Sequence, residues 1–316
     1  MDIMKLRPSA KDSIWGGTKL KKAYNKNFGM ERIAETWECS VHPDGSSQVV
    51  SGEHTGSTLD RVIDEYPEYL GKNNVNGFPV LIKFIDAGDD LSIQVHPDDE
   101  YAHIHENQNG KTEMWYVMEA EENTTLVYGF ENKFSETDIR RAVSDGNIMN
   151  FLHYEEVHKG DVFYIPAGTV HAIGKGTLIA EIQENSNVTY RVYDYERTDE
   201  NGNRRELHTE KALDVMNFAP APETKSYDDY YECPDYSSKT LCSCRYFTTE
   251  KINVKKIYGF DVGDESFQVI LCIDGTGTVK NNDSKVSMIK GDCIFLPANI
   301  GRIEVNGNAE FLKVKC

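Results

Sequence analysis

Gly160-Asp161-Val162-Phe163-Tyr164-Ile165-Pro166-Ala167 recurs as Gly291-Asp292-Cys293-Ile294-Phe295-Leu296-Pro297-Ala298. Each copy reads as a Gly-Asp turn, a short apolar strand and a Pro-Ala turn, so one turn-strand-turn unit is used twice and two related β units are expected. Around the copies lie further short runs of β-branched and aromatic residues bounded by Gly, Asn and Asp: Phe78 to Ile85, Met114 to Met118, Thr125 to Tyr128, Leu178 to Ile182 and Thr189 to Tyr195. Helical signals are few. Ser57 to Tyr66, the acid-rich start at Pro97 to Glu100, Ser135 to Val143 and Thr209 to Phe218 carry them. The expected fold class is all-β with a few peripheral helices. Pro220 to Asp229 has linker composition, which divides the chain into residues 1–228 and 229–316.

At 316 residues the chain is long enough for about two domains and a sizeable core. Its net charge of −18 disfavours binding to nucleic acid or an anionic membrane surface, both of which need positive excess. A mean hydropathy of −0.55 and the absence of an apolar run of spanning length argue against a membrane protein. The start, Met1-Asp2-Ile3-Met4-Lys5-Leu6-Arg7-Pro8, has no apolar core of signal-peptide length, so a cytoplasmic location is expected. Seven scattered cysteines imply no disulfide framework, and all are expected to be reduced thiols.

The chemistry gathers in the first unit. In Leu91-Ser92-Ile93-Gln94-Val95-His96-Pro97, strand alternation puts Ser92, Gln94 and His96 on one face and turns Ile93 and Val95 into packing. Gly110-Lys111-Thr112-Glu113-Met114-Trp115 repeats the device with Lys111 and Glu113. The first repeat then runs into Gly168-Thr169-Val170-His171, completing a Gly-x5-Pro-x-Gly-x2-His pattern. Two imidazoles, a carboxylate and an amide oxygen suit a borderline dication: His96, Glu113 and His171 as strong donors and Gln94 as the weaker fourth, with zinc, one per chain, the first choice. In the second repeat Arg302 stands where His171 stands in the first, and no histidine follows His208. A histidine-ligated metal therefore belongs to the first unit alone.

These residues carry a resemblance. Gly160 to His171 resembles the second motif of cupins, and Gln94-x-His96, Glu113 and His171 are similar to the metal ligands of type I mannose-6-phosphate isomerases. Ile14-Trp15-Gly16-Gly17, Glu35-Thr36-Trp37-Glu38, Leu91 to Asp98 and Tyr190-Arg191-Val192-Tyr193-Asp194-Tyr195 extend it over most of the chain. The length resembles the short bacterial form, with a second cupin domain that lacks the metal site. The resemblance implies tandem jelly-roll barrels, a sugar-phosphate substrate, and zinc-dependent interconversion of mannose 6-phosphate and fructose 6-phosphate through a cis-enediol. It also implies Glu181 as the base, Arg191 as an oxyanion-stabilising or phosphate-binding cation and Ser92 as a phosphate contact. Lys111 is a second acid–base candidate and a substrate-binding cation, because it stands two residues from a ligating carboxylate.

Other residues are expected to do less. His103 and His105 read as solvated, His153, His158 and His208 as without ligand partners, His42 as outside the site's inner contacts, and Trp15, Trp37 and Trp115 as core or pocket wall. Two competing functions stay open at this level. Two histidines and a carboxylate on a cupin also describe a non-haem iron oxygenase, and a sugar-phosphate-binding cupin need not catalyse at all. A monomer or a homodimer is expected.

Overall fold

A computed structural model describes residues 1–316 apart from Glu200, Pro222 and Thr224. The two repeated strands, Val162–Ile165 and Cys293–Leu296, fall in different sheets. In the first half a six-stranded sheet runs in the order Val162–Ile165, Glu113–Ala120, Thr177–Glu184, Val80–Asp86, Glu35–Cys39, Ser9–Lys11. A five-stranded sheet runs in the order Tyr190–Tyr193, Ile93–Val95, His171–Ala172, Thr125–Phe130, Leu152–Glu156. The pairings within both are antiparallel. The two sheets enclose an apolar cluster that includes Trp115, Val117, Ile179, Leu126 and Ile173. The all-β architecture with peripheral helices is thus the one expected.

Strand alternation explains why the six-stranded sheet reads as nearly continuous apolar sequence. Its outer side chains, among them Ile82, Phe84, Met114, Tyr116, Ala180 and Ile182, pack against Phe267, Val269, Phe295 and Leu312 of the second half. Its inner side chains, Lys83, Trp115, Ile179 and Glu181, face the first barrel. A sheet covered on both faces leaves little room for polar residues, and those it keeps are conspicuous.

The second half supplies eight strands of a ten-stranded antiparallel assembly, completed by Met4–Arg7 and Gln48–Val49 and dominated by the long strands Gln268–Lys280 and Gly301–Lys315. Its interior is filled by Ile252, Ile270, Cys272, Ile294, Ile303 and Phe311. The strand Met4–Arg7, from the start of the chain, crosses over and pairs with Cys293–Leu296 in the register Met4↔Phe295. It covers a sheet edge that would otherwise expose unpaired backbone groups.

The four expected helices form at Leu59–Glu65, Asp99–His105, Glu136–Ser144 and Thr209–Val215. Asp98 caps the second by accepting the Tyr101 N–H, and Ser135 with Asp138 forms a capping box on the third. A fifth, Lys19–Ala23, gets no side-chain capping bond from its N-cap residue Thr18. It is held by Asp86, whose carboxylate accepts the N–H groups of Lys19 and Leu20, a long-range anchor that no local pattern announces. The linker expected at 220–229 includes Pro222 and Thr224, which lie outside the described residues. The seven cysteines are free thiols. No helix among the described residues is long and apolar enough to cross a membrane.

Candidate active site and metal centre

Two rows of side chains from the facing sheets build the site. In the five-stranded sheet His171 and Arg191 pair with Gln94 from either side, so the three stand abreast. In the six-stranded sheet Trp115 and Lys83 flank Glu181 in the same way. Ile93 and Val95 point to the opposite face and are fully buried there. The expected alternation of Ser92, Gln94 and His96 therefore holds.

His96, Glu113 and His171 converge, with one ligand atom from each lying within 4.8 Å of the others. The two imidazole Nε2 atoms are 3.1 Å apart, and Glu113 Oε1 is 3.3 Å from His171 Nε2. Gln94 contributes its amide 3.4 Å from His171 Nε2, and a half-turn of that amide exchanges its oxygen and nitrogen. His171 donates its Nδ1–H to the Thr169 carbonyl at 2.9 Å, which fixes the tautomer and leaves the Nε2 lone pair pointing inward. His96 Nε2 accepts from the Lys111 ammonium at 3.0 Å, so its lone pair points inward too.

All three are at most 1% exposed. Burial brings His171 down to about 4, and burial, reinforced by Lys111 and His171, holds His96 well below the ordinary imidazole range. Burial and the nearby Glu181 push Glu113 up to about 7 against the pull of Lys111. Neither Glu113 oxygen makes a hydrogen bond, although Lys111 Nζ lies 3.1 Å from Oε2. Two inward lone pairs and a buried carboxylate free of hydrogen bonds form a donor set matched to a cation. These residues fit a borderline dication.

Next to the triad's neighbours Gln94 and Lys111 lies a cavity of about 320 Å³, at the lower end of the roughly 300–1,000 Å³ typical of small-molecule sites. Ser92, Gln94, Lys111, Glu181 and Arg191 all line it. The triad does not itself line this cavity, but Gln94 and Lys111 do and both touch the triad. Lys83, Lys111, Arg191 and Arg205 face two acids, Glu35 and Glu181, so the lining is net positive in a chain of charge −18. Such a patch concentrates an anionic ligand. Arg191 anchors one end by donating to the Glu206 carbonyl at 2.8 Å, while its buried Nε has no hydrogen-bond partner.

Glu181 accepts the Trp115 indole N–H at 2.9 Å on Oε2, and Lys83 lies 3.4 Å from Oε1, which makes no hydrogen bond. Burial opposes ionisation of Glu181, yet Lys111, Lys83 and the indole together hold it below the ordinary carboxyl range.

Sequence reasoning missed Lys83, Glu35 and Arg205. A signal existed for Lys83, a lone cation inside the wholly buried run Val80–Asp86. His208 stands apart from the metal cluster, as expected, and its Nδ1 accepts the Arg191 N–H at 3.2 Å, so it braces the strand behind Arg191. His103 and His105 are exposed, and His42 is buried but does not line the cavity.

A model of the catalytic domain of type I phosphomannose isomerases matches residues 3–127, and one of the mannose-6-phosphate isomerase cupin domain matches residues 237–316. The chain is 36% identical over 311 residues to a probable mannose-6-phosphate isomerase, GmuF, of Bacillus subtilis, covering 97% of each. The chain belongs to the type I phosphomannose isomerase family. Within that family it is also 36% identical to the mannose-6-phosphate isomerase ManA of Bacillus subtilis, over 96% of each chain. The crystal structure of the mannose 6-phosphate isomerase from Bacillus subtilis superposes with a TM-score of 0.93 at 35% identity, covering 99% of both chains. A mutant of the phosphomannose isomerase from Salmonella typhimurium shares the fold, with a TM-score of 0.78, 15% identity and 99% coverage of each.

Proposed function

We propose that this phosphomannose isomerase family member interconverts mannose 6-phosphate and fructose 6-phosphate using one zinc ion per chain, held by His96, Glu113, His171 and Gln94. The observation that carries the reading is the convergence of the three strong donors against Gln94 and Lys111, which line a cavity that presents four cations. When bound, the ion supplies Lewis acidity toward the sugar's carbonyl and hydroxyl oxygens.

The chain's own groups do the rest. Arg191, with a buried Nε free to donate, and the Ser92 hydroxyl hold the phosphate. The Lys111 ammonium stabilises negative charge that develops on the sugar oxygen. Glu181 is the base: it is held ionised, and its Oε1 is free of hydrogen bonds on the cavity wall. It takes the hydrogen from C2 of the aldose, the C2–H electron pair becomes the C1–C2 double bond, and the carbonyl oxygen gains a proton. The same carboxyl returns its proton to C1 as the C2 hydroxyl gives up its own, which leaves the ketose. One base serving both carbons from one side requires a cis-enediol. This chemistry belongs to residues 1–228, and residues 229–316 form a metal-free unit.

Zinc-loaded enzyme incubated with mannose 6-phosphate in deuterium oxide, followed by proton NMR, tests the reading. Fructose 6-phosphate should form, and exchange of the carboxyl proton with solvent should place deuterium at C1 of the ketose and at C2 of the recovered mannose 6-phosphate. Binding with no exchange and no ketose would make this a non-catalytic sugar-phosphate binder, and consumption of dioxygen would make it an oxygenase.

A further inference from the structure

Lys111 belongs to no helix or strand, yet its backbone is gripped at three consecutive residues. Gly110 donates its N–H to Asp99 Oδ1 at 3.0 Å, Lys111 donates to the Pro97 carbonyl at 3.0 Å, and Thr112 donates to Glu184 Oε1 at 2.7 Å. Glu184 returns its own N–H to the Thr112 carbonyl at 3.0 Å. Position 110 admits only glycine, because a Cβ there would come within 2.5 Å of the Asp98 carbonyl carbon and the Asp99 nitrogen. Two of the three acceptors are carboxyl groups, and the ionised one, Asp99, makes the stronger bond.

The second oxygen of Asp99 accepts the Tyr246 hydroxyl at 3.0 Å. Tyr246 lies in the turn between Tyr236–Ser243 and Thr248–Val254, both strands of the C-terminal sheet. An unbroken chain of contacts thus leads from the half without histidines, through Tyr246, Asp99 and Gly110, to the lysine whose ammonium touches His96 and Glu113. Burial and the neighbouring Asp99 push Glu184 up to about 8, while hydrogen bonds from Gly110 and Tyr246 outweigh burial and keep Asp99 below its ordinary value. A protonated Glu184 beside an ionised Asp99 is a compatible pair, whereas two carboxylates would repel.

We propose that Asp99, Glu184 and Tyr246 are positioning residues that fix the Lys111 ammonium against the metal ligands and the substrate cavity, and that Tyr246 is how the C-terminal barrel contributes to catalysis. The proposal rests on the reading that Lys111 acts on substrate. A lysine side chain has four rotatable bonds, so its ammonium is only as well placed as the backbone carrying it. Misplacement by about 1 Å costs up to ~10²-fold in rate.

A double-mutant cycle on the zinc-loaded, full-length enzyme tests it. Tyr246→Phe keeps the ring and removes only the hydroxyl. It should lower kcat by about 2- to 10-fold, the worth of one hydrogen bond, with KM and zinc content unchanged and faster deuterium uptake in the peptide containing residues 110–112. In a Lys111→Met background the same substitution should have no further effect on kcat, whereas a merely structural role would add its full penalty. Asp99→Asn, whose oxygen can still accept the Gly110 N–H while its amide group donates to the Tyr246 hydroxyl oxygen, should recover most of the activity lost in Asp99→Ala. An unchanged kcat in Tyr246→Phe, or an equal loss in both backgrounds, overturns the proposal. Full activity in Lys111→Met alone overturns the underlying role of Lys111 instead, and the relay with it.

Discussion

The turns that follow Val162–Ile165 and Cys293–Leu296 are built alike and finish differently. Both begin Pro-Ala, and both place a residue in the left-handed region two positions after the proline: Gly168 at φ 86° and Asn299 at φ 63°. Each chain then returns into its barrel. In the first, His171 arrives fully buried beside Glu113 and His96. In the second, Arg302 arrives exposed and pairs with Asp261 at 3.0 Å, while Ile270, Cys272 and Phe311 fill the interior. The turn and the apolar strands suffice for the fold. The chemistry depends on which inward positions carry polar groups, and buried polar groups persist only where each gains a partner or a cation.

The sharpest way to break this contrast is to truncate the two corresponding residues. His171→Ala should abolish zinc retention, as read by elemental analysis, and reduce kcat by more than the ~10²–10⁴-fold expected for loss of a general base. Arg302→Ala should leave both unchanged and cost less than about 0.5 kcal/mol of stability, as fits an exposed ion pair. Next in size, Glu181→Gln should lower kcat by ~10²–10⁴-fold while zinc content and melting temperature hold, which separates proton transfer from metal binding within the first barrel.

Inside the second barrel the expected currency is stability. Phe311→Ala should cost about 3–5 kcal/mol in denaturant unfolding, yet the folded protein should keep its zinc and its kcat. A pH-dependent effect concerns Glu184, which burial and Asp99 push up to about 8. The folded state keeps a proton that the unfolded chain releases near pH ~4.3. That contribution is complete at low pH and is lost as pH rises through about 8. Wild type should therefore lose melting temperature relative to Glu184→Gln between about pH 5 and pH 8.5.

Much of the site could be read without coordinates because it obeys local rules. Alternation put Ser92, Gln94 and His96 on one face, the entry to Glu113–Ala120 placed Lys111 beside Glu113, and the repeat exposed the contrast between His171 and Arg302. What escaped is set by register between distant strands. Met4–Arg7 looks like any first strand, and nothing in it reports that its partner is Cys293–Leu296. Lys83 stands opposite Glu181 only because two strands pair in one register of several possible. The Tyr246 hydroxyl meets Asp99 across 147 residues of sequence, a contact no spacing rule encodes.

The central claim, that a single dication in the first barrel drives isomerisation, is tested most directly by titrating zinc into chelator-stripped enzyme while following fructose 6-phosphate formation. Activity should rise in proportion to added zinc and level off at one equivalent per chain. Full turnover by the stripped enzyme, or a plateau reached only at two equivalents, would contradict it.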